Sequence, residues 1–290
     1  MSQASKSLRE LLTPGAGVVM PGAPNALAAR IIETTGFPVV YMTGAGVANS
    51  YLGMPDLGLT SVSEMTAHVQ AIREAVNIPI VADGDTGFGN ALNLHRTIRL
   101  YERAGANAIQ LEDQVFPKRC GHFEDKSVVS KAEMVQKVKA AVDARTDPNF
   151  LILARTDARA IEGLNGALDR IAAYKEAGAD LLFVEAPQSI EEMARIPKEV
   201  PGVHICNIVF GGKTPMLPRE ELAKLGFAGI LYANAAMQSA MLAMKKTMEH
   251  LLKVGSLAGA EADILPFKDR QVFVNFDEWT ALEKRYKVSQ

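Results

Sequence analysis

Cysteine is scarce in this chain: two among 290 residues, Cys120 and Cys206. Two thiols do not make the disulfide framework of a small secreted fold, so a reducing, cytoplasmic setting is expected. Long apolar runs are missing as well. No stretch reaches the roughly 18 to 20 apolar residues of a membrane span, and the opening MSQASKSLRELLTPGAG lacks the apolar run of a signal peptide. No charge of one sign dominates. The net charge is −2 and the basic residues are dispersed, which gives no pull toward nucleic acid or an anionic membrane. Aromatics are few, at 6%, and no aromatic–basic stripe suggests an RNA platform.

What is present is a beat. Eight short apolar runs recur: GVVMPGA from Gly17, PVVYMTG from Pro38, IPIVADG from Ile78, AIQLEDQ from Ala108, FLILART from Phe150, LLFVEAP from Leu181, HICNIVF from His204 and GILYANA from Gly229. Runs without polar alternation suit strands buried on both faces, as in a parallel sheet. Between them lie segments with helical spacing, such as 91–106 and 166–179. Ser61 with Glu64, and Ser130 with Glu133, read as capping boxes. Gly36, Gly105, Gly178 and Gly226 stand where helices stop before the next strand. Eight strand–helix beats predict a (β/α)8 TIM barrel over residues 1–290, a single domain. The alternative, a doubly wound sheet, requires a phosphate-binding glycine loop that PGAPNALAAR does not supply. Residues from about 254 to 290 run on past the eighth beat as a helical extension with Phe273, Phe276 and the only tryptophan, Trp279. That tail is expected to pack either on a neighbouring subunit or across the bottom of the barrel.

Active sites of such barrels lie at the strand C-terminal ends. Those ends carry Thr43, Gly44 and Ala45; Asp83 and Asp85; Glu112 beside Asp113; Arg155 with Asp157; Glu185; Asn207; and Asn234, while the loop after the second strand adds Asp56. Carboxylates converging on one mouth must take protons or bind a cation. The acidic set offers oxygens only, which selects a hard cation, Mg²⁺ with Mn²⁺ as the alternative, over zinc. Asp85 is the expected direct ligand, with Asp83, Asp56 and Glu112 acting through water. Two residues apart, Asp83 and Asp85 share a face if the strand is regular. Arg155 suits a carboxylate or oxyanion, and the TGAG turn at 43–46 offers backbone N–H groups. No lysine ends a strand, which argues against Schiff-base chemistry; Lys213, in the loop after the seventh strand, reads as loop charge or a substrate carboxylate contact.

A loop of about sixteen residues, 115–130, follows the fourth strand, where about 2 to 6 are usual. It reads as a lid, and it places Cys120 among Lys118, Arg119 and His122. Cations that fold close to a thiol favour its thiolate and fit it for acid–base work. His122 either orients Cys120 or binds a substrate anion. Cys206 sits inside a strand, and His68, His95, His204 and His250 are scattered; no role is expected for them.

KRCGH after EDQ, DGDTGFGN one strand earlier, MPDLG at 54–58, ARTDA at 154–158 and GGKTP at 211–215 together resemble the isocitrate lyase/phosphoenolpyruvate mutase superfamily, from about Leu8 to at least Ala235. Its branches with methylisocitrate lyase, 2,3-dimethylmalate lyase and carboxyphosphonoenolpyruvate mutase are the most similar. The resemblance implies a (β/α)8 barrel whose last helix is exchanged between subunits, a homotetramer, and Mg²⁺. It implies that Thr43, Gly44 and Ala45 hold an α-keto-acid carboxylate and that Asp56, Asp83, Asp85 and Glu112 surround the metal. Cys120 would be the lid's acid, Arg155 would contact the keto oxygen, and Glu185 and Asn207 would complete the site. The implied catalytic set is thus Cys120, Arg155, His122 and Glu112, with Gly121, His122 and Asn234 also at the substrate. The implied activity is carbon–carbon cleavage of a 2-hydroxy di- or tricarboxylate to an α-keto acid such as pyruvate and a second carboxylate. A phosphonate mutase or an oxaloacetate hydrolase is the alternative on the same scaffold. Three departures stand out: Gly84 where alanine is usual, Phe123 where methylisocitrate lyases tend to have arginine, and LYANAAM at the eighth strand, with Asn234 closer to mutases and phosphonopyruvate hydrolases.

Overall fold

A computed structural model describes residues 3–119, 121 and 126–288. Eight parallel strands close into a barrel in chain order. They are β1 (Val18–Ala23), β2 (Val40–Met42), β3 (Ile80–Asp83), β4 (Ala108–Glu112), β5 (Leu151–Thr156), β6 (Leu181–Val184), β7 (His204–Asn207) and β8 (Phe227–Tyr232). Each coincides with one of the eight apolar runs. Val18 pairs with Gly229, which seals the barrel between its first and last strands.

The barrel is solid. Met20, Tyr41, Val81, Leu153, Phe183, Ile205 and Leu231 form one buried cluster with Leu8 and Leu12. The last two belong to or follow helix α1 (Gln3–Leu11), so the amphipathic opening segment closes this cluster. Arg9 fastens α1 by donating to Asp180 at 2.9 Å and to the Pro148 carbonyl at 3.1 Å.

Helices α2 (Ala26–Thr34), α4 (Val62–Ala75), α5 (Ala91–Ala104), α6 (Lys131–Ala144), α7 (Arg159–Glu176), α8 (Ile190–Glu199) and α9 (Arg219–Lys224) connect the strands, and a four-residue turn of helix, α3 (Gly44–Val47), leads into a π-turn at Ala48–Leu52. At Ser61 the capping box is complete. At Ser130 only the forward half forms, Glu133 N–H donating to Ser130 Oγ at 3.1 Å. Asn90 and Asn93 make a reciprocal cap at α5 that a search for Glu or Gln at the third position does not find. Helix α7 begins earlier than its apolar spacing suggests and carries a break at Gly163, with φ 75°.

The tail is helical: α10 (Ala235–Val254), α11 (Phe267–Phe273) and α12 (Phe276–Tyr286). Helix α10 touches β1, and α11 touches α2. Most of the apolar surface of the tail stays outside, with Leu252 90% and Trp279 67% exposed.

Candidate active site

The strand ends meet around a cavity of about 240 Å³ at the mouth of the barrel. Tyr41, Thr43, Ala45, Asp56, Asp83, Glu112, Arg155, Glu185, Asn207 and Asn234 all reach its lining, as do Lys118, Arg119 and Gly121 from the long loop. Cys120, His122 and Phe123 lie outside the described residues.

Asp83 ends β3, and both oxygens of its carboxylate accept hydrogen bonds. Oδ2 accepts from Gly44 N–H at 3.1 Å, and Oδ1 accepts from Asp85 N–H at 3.2 Å and Gln110 Nε2 at 3.4 Å. Burial, with the nearby Asp83 charge, raises the Tyr41 hydroxyl well above its ordinary range. Two N–H groups of the TGAG turn are therefore used inside the protein. Gly44 serves Asp83, and Gly46 donates to the Thr43 hydroxyl at 3.2 Å as a helix cap. Gly44 is also a close approach, because a Cβ there would stand 2.8 Å from Asp83 Oδ2. Thr43 in turn donates to Asn234 Oδ1 at 3.3 Å.

Asp85 does not share a regular strand with Asp83. β3 stops at Asp83, and Asp85 turns off at φ 47°. Its buried Oδ1 faces Lys118 Nζ at 2.9 Å. Lys118 pairs with Asp56 as well, so one ammonium joins the loop after β2, the loop after β3 and the long loop. Burial pushes the Asp85 carboxyl up to about 6, against the Lys118 charge and with help from Asp83 and Asp56. Burial works against the Lys118 charge, but Asp85, Asp56, Glu112 and Asp83 outweigh it and hold the ammonium well above its ordinary range.

Arg155 is held from behind. Its Nε and Nη2 donate to the two oxygens of Asp157 at 2.9 and 3.0 Å, the bidentate geometry a planar guanidinium favours. Nη1 points between Glu112 at 3.4 Å and Glu185 at 3.3 Å, and the group lies over the Phe183 ring at 5.4 Å. Burial opposes this charge too, and the three carboxylates overcome it. Burial raises the Glu112 carboxyl well above its usual range despite Arg155, and Glu112 Oε1 has no hydrogen-bond partner among the described residues. Asn207 Oδ1, also buried, has none either. Asp113, beside Glu112, turns away from the cavity to accept from Thr156, Tyr174 and the Asp157 N–H at 2.7, 2.8 and 2.9 Å, a structural post.

The other polar residues fall elsewhere. Lys213 is not in the lining. His204 is buried and Cys206 lies within β7, while His68 stacks edge-on with Tyr51. Among the described residues no group of three or more His, Cys, Asp or Glu side chains forms a ready metal cage. Among the described residues the metal-ligating donors that line the mouth are oxygens, which fit a hard cation such as Mg²⁺, and Glu112 Oε1 is a buried acceptor with no hydrogen-bond partner there.

The sequence reading passed over Tyr41 and the central position of Lys118. Tyr41 was within reach: it stands two residues before Thr43, on the same side of β2 by strand alternation. Lys118 was not, since only folding brings residue 118 back over residues 56 and 85.

Residues 8–252 match the family model described as phosphoenolpyruvate phosphomutase. The chain belongs to that family. Family members with different activities are similar along most of their length. The 2,3-dimethylmalate lyase of Eubacterium barkeri is 46% identical over 290 residues, covering 100% of both chains. The 2-methylisocitrate lyase of Shewanella oneidensis is 42% identical over 252 residues, 87% of this chain and 86% of that one. A crystal structure of 2,3-dimethylmalate lyase superposes with a TM-score of 0.91 at 34% identity, over 98% of this chain and 96% of that one. A phosphonopyruvate hydrolase complexed with oxalate and Mg²⁺ gives 0.87 at 31%, over 98% and 99%. Relatives named as lyases place this phosphoenolpyruvate phosphomutase family member among the carbon–carbon lyases.

Proposed function

We propose that the chain is a Mg²⁺-dependent lyase that splits a 2-hydroxy di- or tricarboxylate of the dimethylmalate or methylisocitrate type into an α-keto acid such as pyruvate and a second carboxylate. The carrying observation is the cavity itself. Two buried cations, Lys118 and Arg155, line it, each in direct contact with carboxylates, so it suits an anionic substrate that brings its own charge to a cation. Val209, Leu231 and Ala233 add an apolar side, which suits methyl groups.

Glu112 takes the proton of the C2 hydroxyl at its unpartnered Oε1; a carboxyl whose affinity for protons is raised by burial suits that task. The C2–O electrons form the keto group and the C2–C3 bond breaks. The bond's electron pair moves onto the second fragment as an enolate. Arg155, fixed by Asp157, faces the developing oxygen charge. Cys120 then gives its proton to the C3 carbon, assisted by the neighbouring cations of the loop. Thr43, Gly44 and Ala45 border the keto-acid end, and Gly121, His122, Glu185, Asn207 and Asn234 border the departing fragment. Asp85, with Asp83, Asp56 and Glu112, would hold Mg²⁺, which would supply positive charge to the keto-acid oxygens.

A second reading, a phosphonate mutase or oxaloacetate hydrolase, is favoured by Asn234, which lines the cavity beside Thr43. Incubation with dimethylmalate, methylisocitrate, oxaloacetate and phosphonopyruvate, with and without Mg²⁺, separates the readings by which substrate yields which product.

We further propose a cytoplasmic homotetramer in which α10 is exchanged between subunits. No helix among the described residues is long and apolar enough to cross a membrane. Helix α10 nonetheless leaves Met241, Leu242, Met244 and Met248 half exposed, beside an apolar groove it shares with Leu27 and Ile31 of α2. A second copy of this helix is the occupant whose apolar face matches that groove.

A further inference from the structure

Lys126 belongs to the long loop, yet its side chain is only 2% exposed. A lysine that far from water is costly unless its charge is paired. Its ammonium donates to Asp157 Oδ1 at 2.7 Å and to the Gly121 carbonyl. It is not part of the cavity lining, so it does not wait for substrate.

Both partners are informative. Asp157 is the carboxylate that fixes Arg155 through two hydrogen bonds. One carboxylate therefore serves two cations, and Lys126 offsets charge that would otherwise fall wholly on Arg155, already faced by Glu112 and Glu185. Gly121 lies directly against the same group. A Cβ on Gly121 would stand 2.4 Å from Arg155 Nη2 and 2.6 Å from Glu185 Cγ. The backbone thus rests on the guanidinium in a place where only glycine fits, next in sequence to Cys120.

We infer that Lys126 is a positioning residue: by tying the Gly121 carbonyl to the Asp157–Arg155 pair, it makes the seating of Gly121 and the orientation of Arg155 a single event. The kinetic part of this inference rests on the lyase reading; the structural part does not.

The test compares the full-length protein with Lys126→Met, which keeps the stem and loses the charge, and with Lys126→Arg. Native trypsin digestion in the presence of Mg²⁺ and oxalate reads the seating through cleavage after Lys118 and Arg119. Cleavage is expected about tenfold faster in Lys126→Met and near wild type in Lys126→Arg. Turnover is expected to drop by about a hundredfold in Lys126→Met, the usual scale for a catalytic group misplaced by an ångström, with the melting temperature little changed and most of the rate restored by Lys126→Arg. Unchanged cleavage, or normal turnover in Lys126→Met, overturns the inference. So does a general loss of folding in Lys126→Met and Lys126→Gln alike, which would make the residue a structural post. A wild-type protein inactive on the whole substrate panel would defeat the lyase reading, and the cleavage comparison would still decide the tether.

Discussion

Gly84 separates the two aspartates of the mouth, and a side chain there has no room. A Cβ would lie 2.7 Å from the Ile109 side chain and 2.8 Å from the Gln110 carbonyl oxygen, the same oxygen that accepts from Gly84 N–H at 2.9 Å. The side chain can yield; the backbone oxygen of the neighbouring strand yields less easily. Gly84→Ala is expected to lower unfolding stability by about 1 to 3 kcal/mol, read by urea denaturation. The resemblance marked this glycine as a departure, but the space around it depends on β4, which no local pattern encodes. The reverse holds for Cys120, whose cationic neighbours Lys118 and Arg119 are visible in the sequence alone. Cys120→Ser is expected to keep metal and oxalate binding by calorimetry while turnover falls about 10²- to 10⁴-fold, the range for losing an acid–base group. Near-normal turnover would remove Cys120 from the mechanism. Asp85 was legible as an acidic strand-end residue; its left-handed turn, and the lysine that meets it, were not.

At the scale of elements, periodicity located all eight strands, because a strand buried on both faces must be apolar throughout. Caps were less legible. The Asn90–Asn93 box uses side chains that also favour turns, and the Gly163 break in α7 resembles any helix-interior glycine in sequence. The start of β7 carries a pH dependence. His204 is buried, and its Nε2 bonds to the Val200 carbonyl at 2.6 Å, while Nδ1 has no partner among the described residues. A proton on Nδ1 would be a buried donor without an acceptor, and burial brings the imidazole down to about 4 from its usual 6.5. Between those values the unfolded chain binds more protons than the folded one, so stability falls as pH drops from 6.5 toward 4 and levels off below. The full effect is on the order of 3 kcal/mol. Melting temperatures across that window should decline less in His204→Gln than in the wild type; parallel declines would assign the loss to other groups.

For the molecule as a whole, the barrel was legible from the beat of strand and helix, and the acidic mouth from the order of strand ends. The tail was legible only as apolar helix in need of cover. Its half-exposed methionines and Trp279 make solution assembly the relevant observable. Met241→Glu with Met244→Glu is expected to convert the proposed tetramer to smaller species in light scattering coupled to size exclusion, whereas a wild-type monomer would contradict the exchanged helix. What the long loop does to the mouth was the least legible feature, since Lys118 and Lys126 act across distances that sequence does not measure. The central claim, that this mouth performs metal-assisted carbon–carbon cleavage, is tested most directly by product analysis on 2,3-dimethylmalate, methylisocitrate, oxaloacetate and phosphonopyruvate, each with Mg²⁺ and with a chelator. The account predicts pyruvate or another α-keto acid, with a second carboxylate in equal amount, from a 2-hydroxy di- or tricarboxylate, only when Mg²⁺ is present. Turnover confined to oxaloacetate or phosphonopyruvate, or turnover indifferent to the chelator, would contradict it.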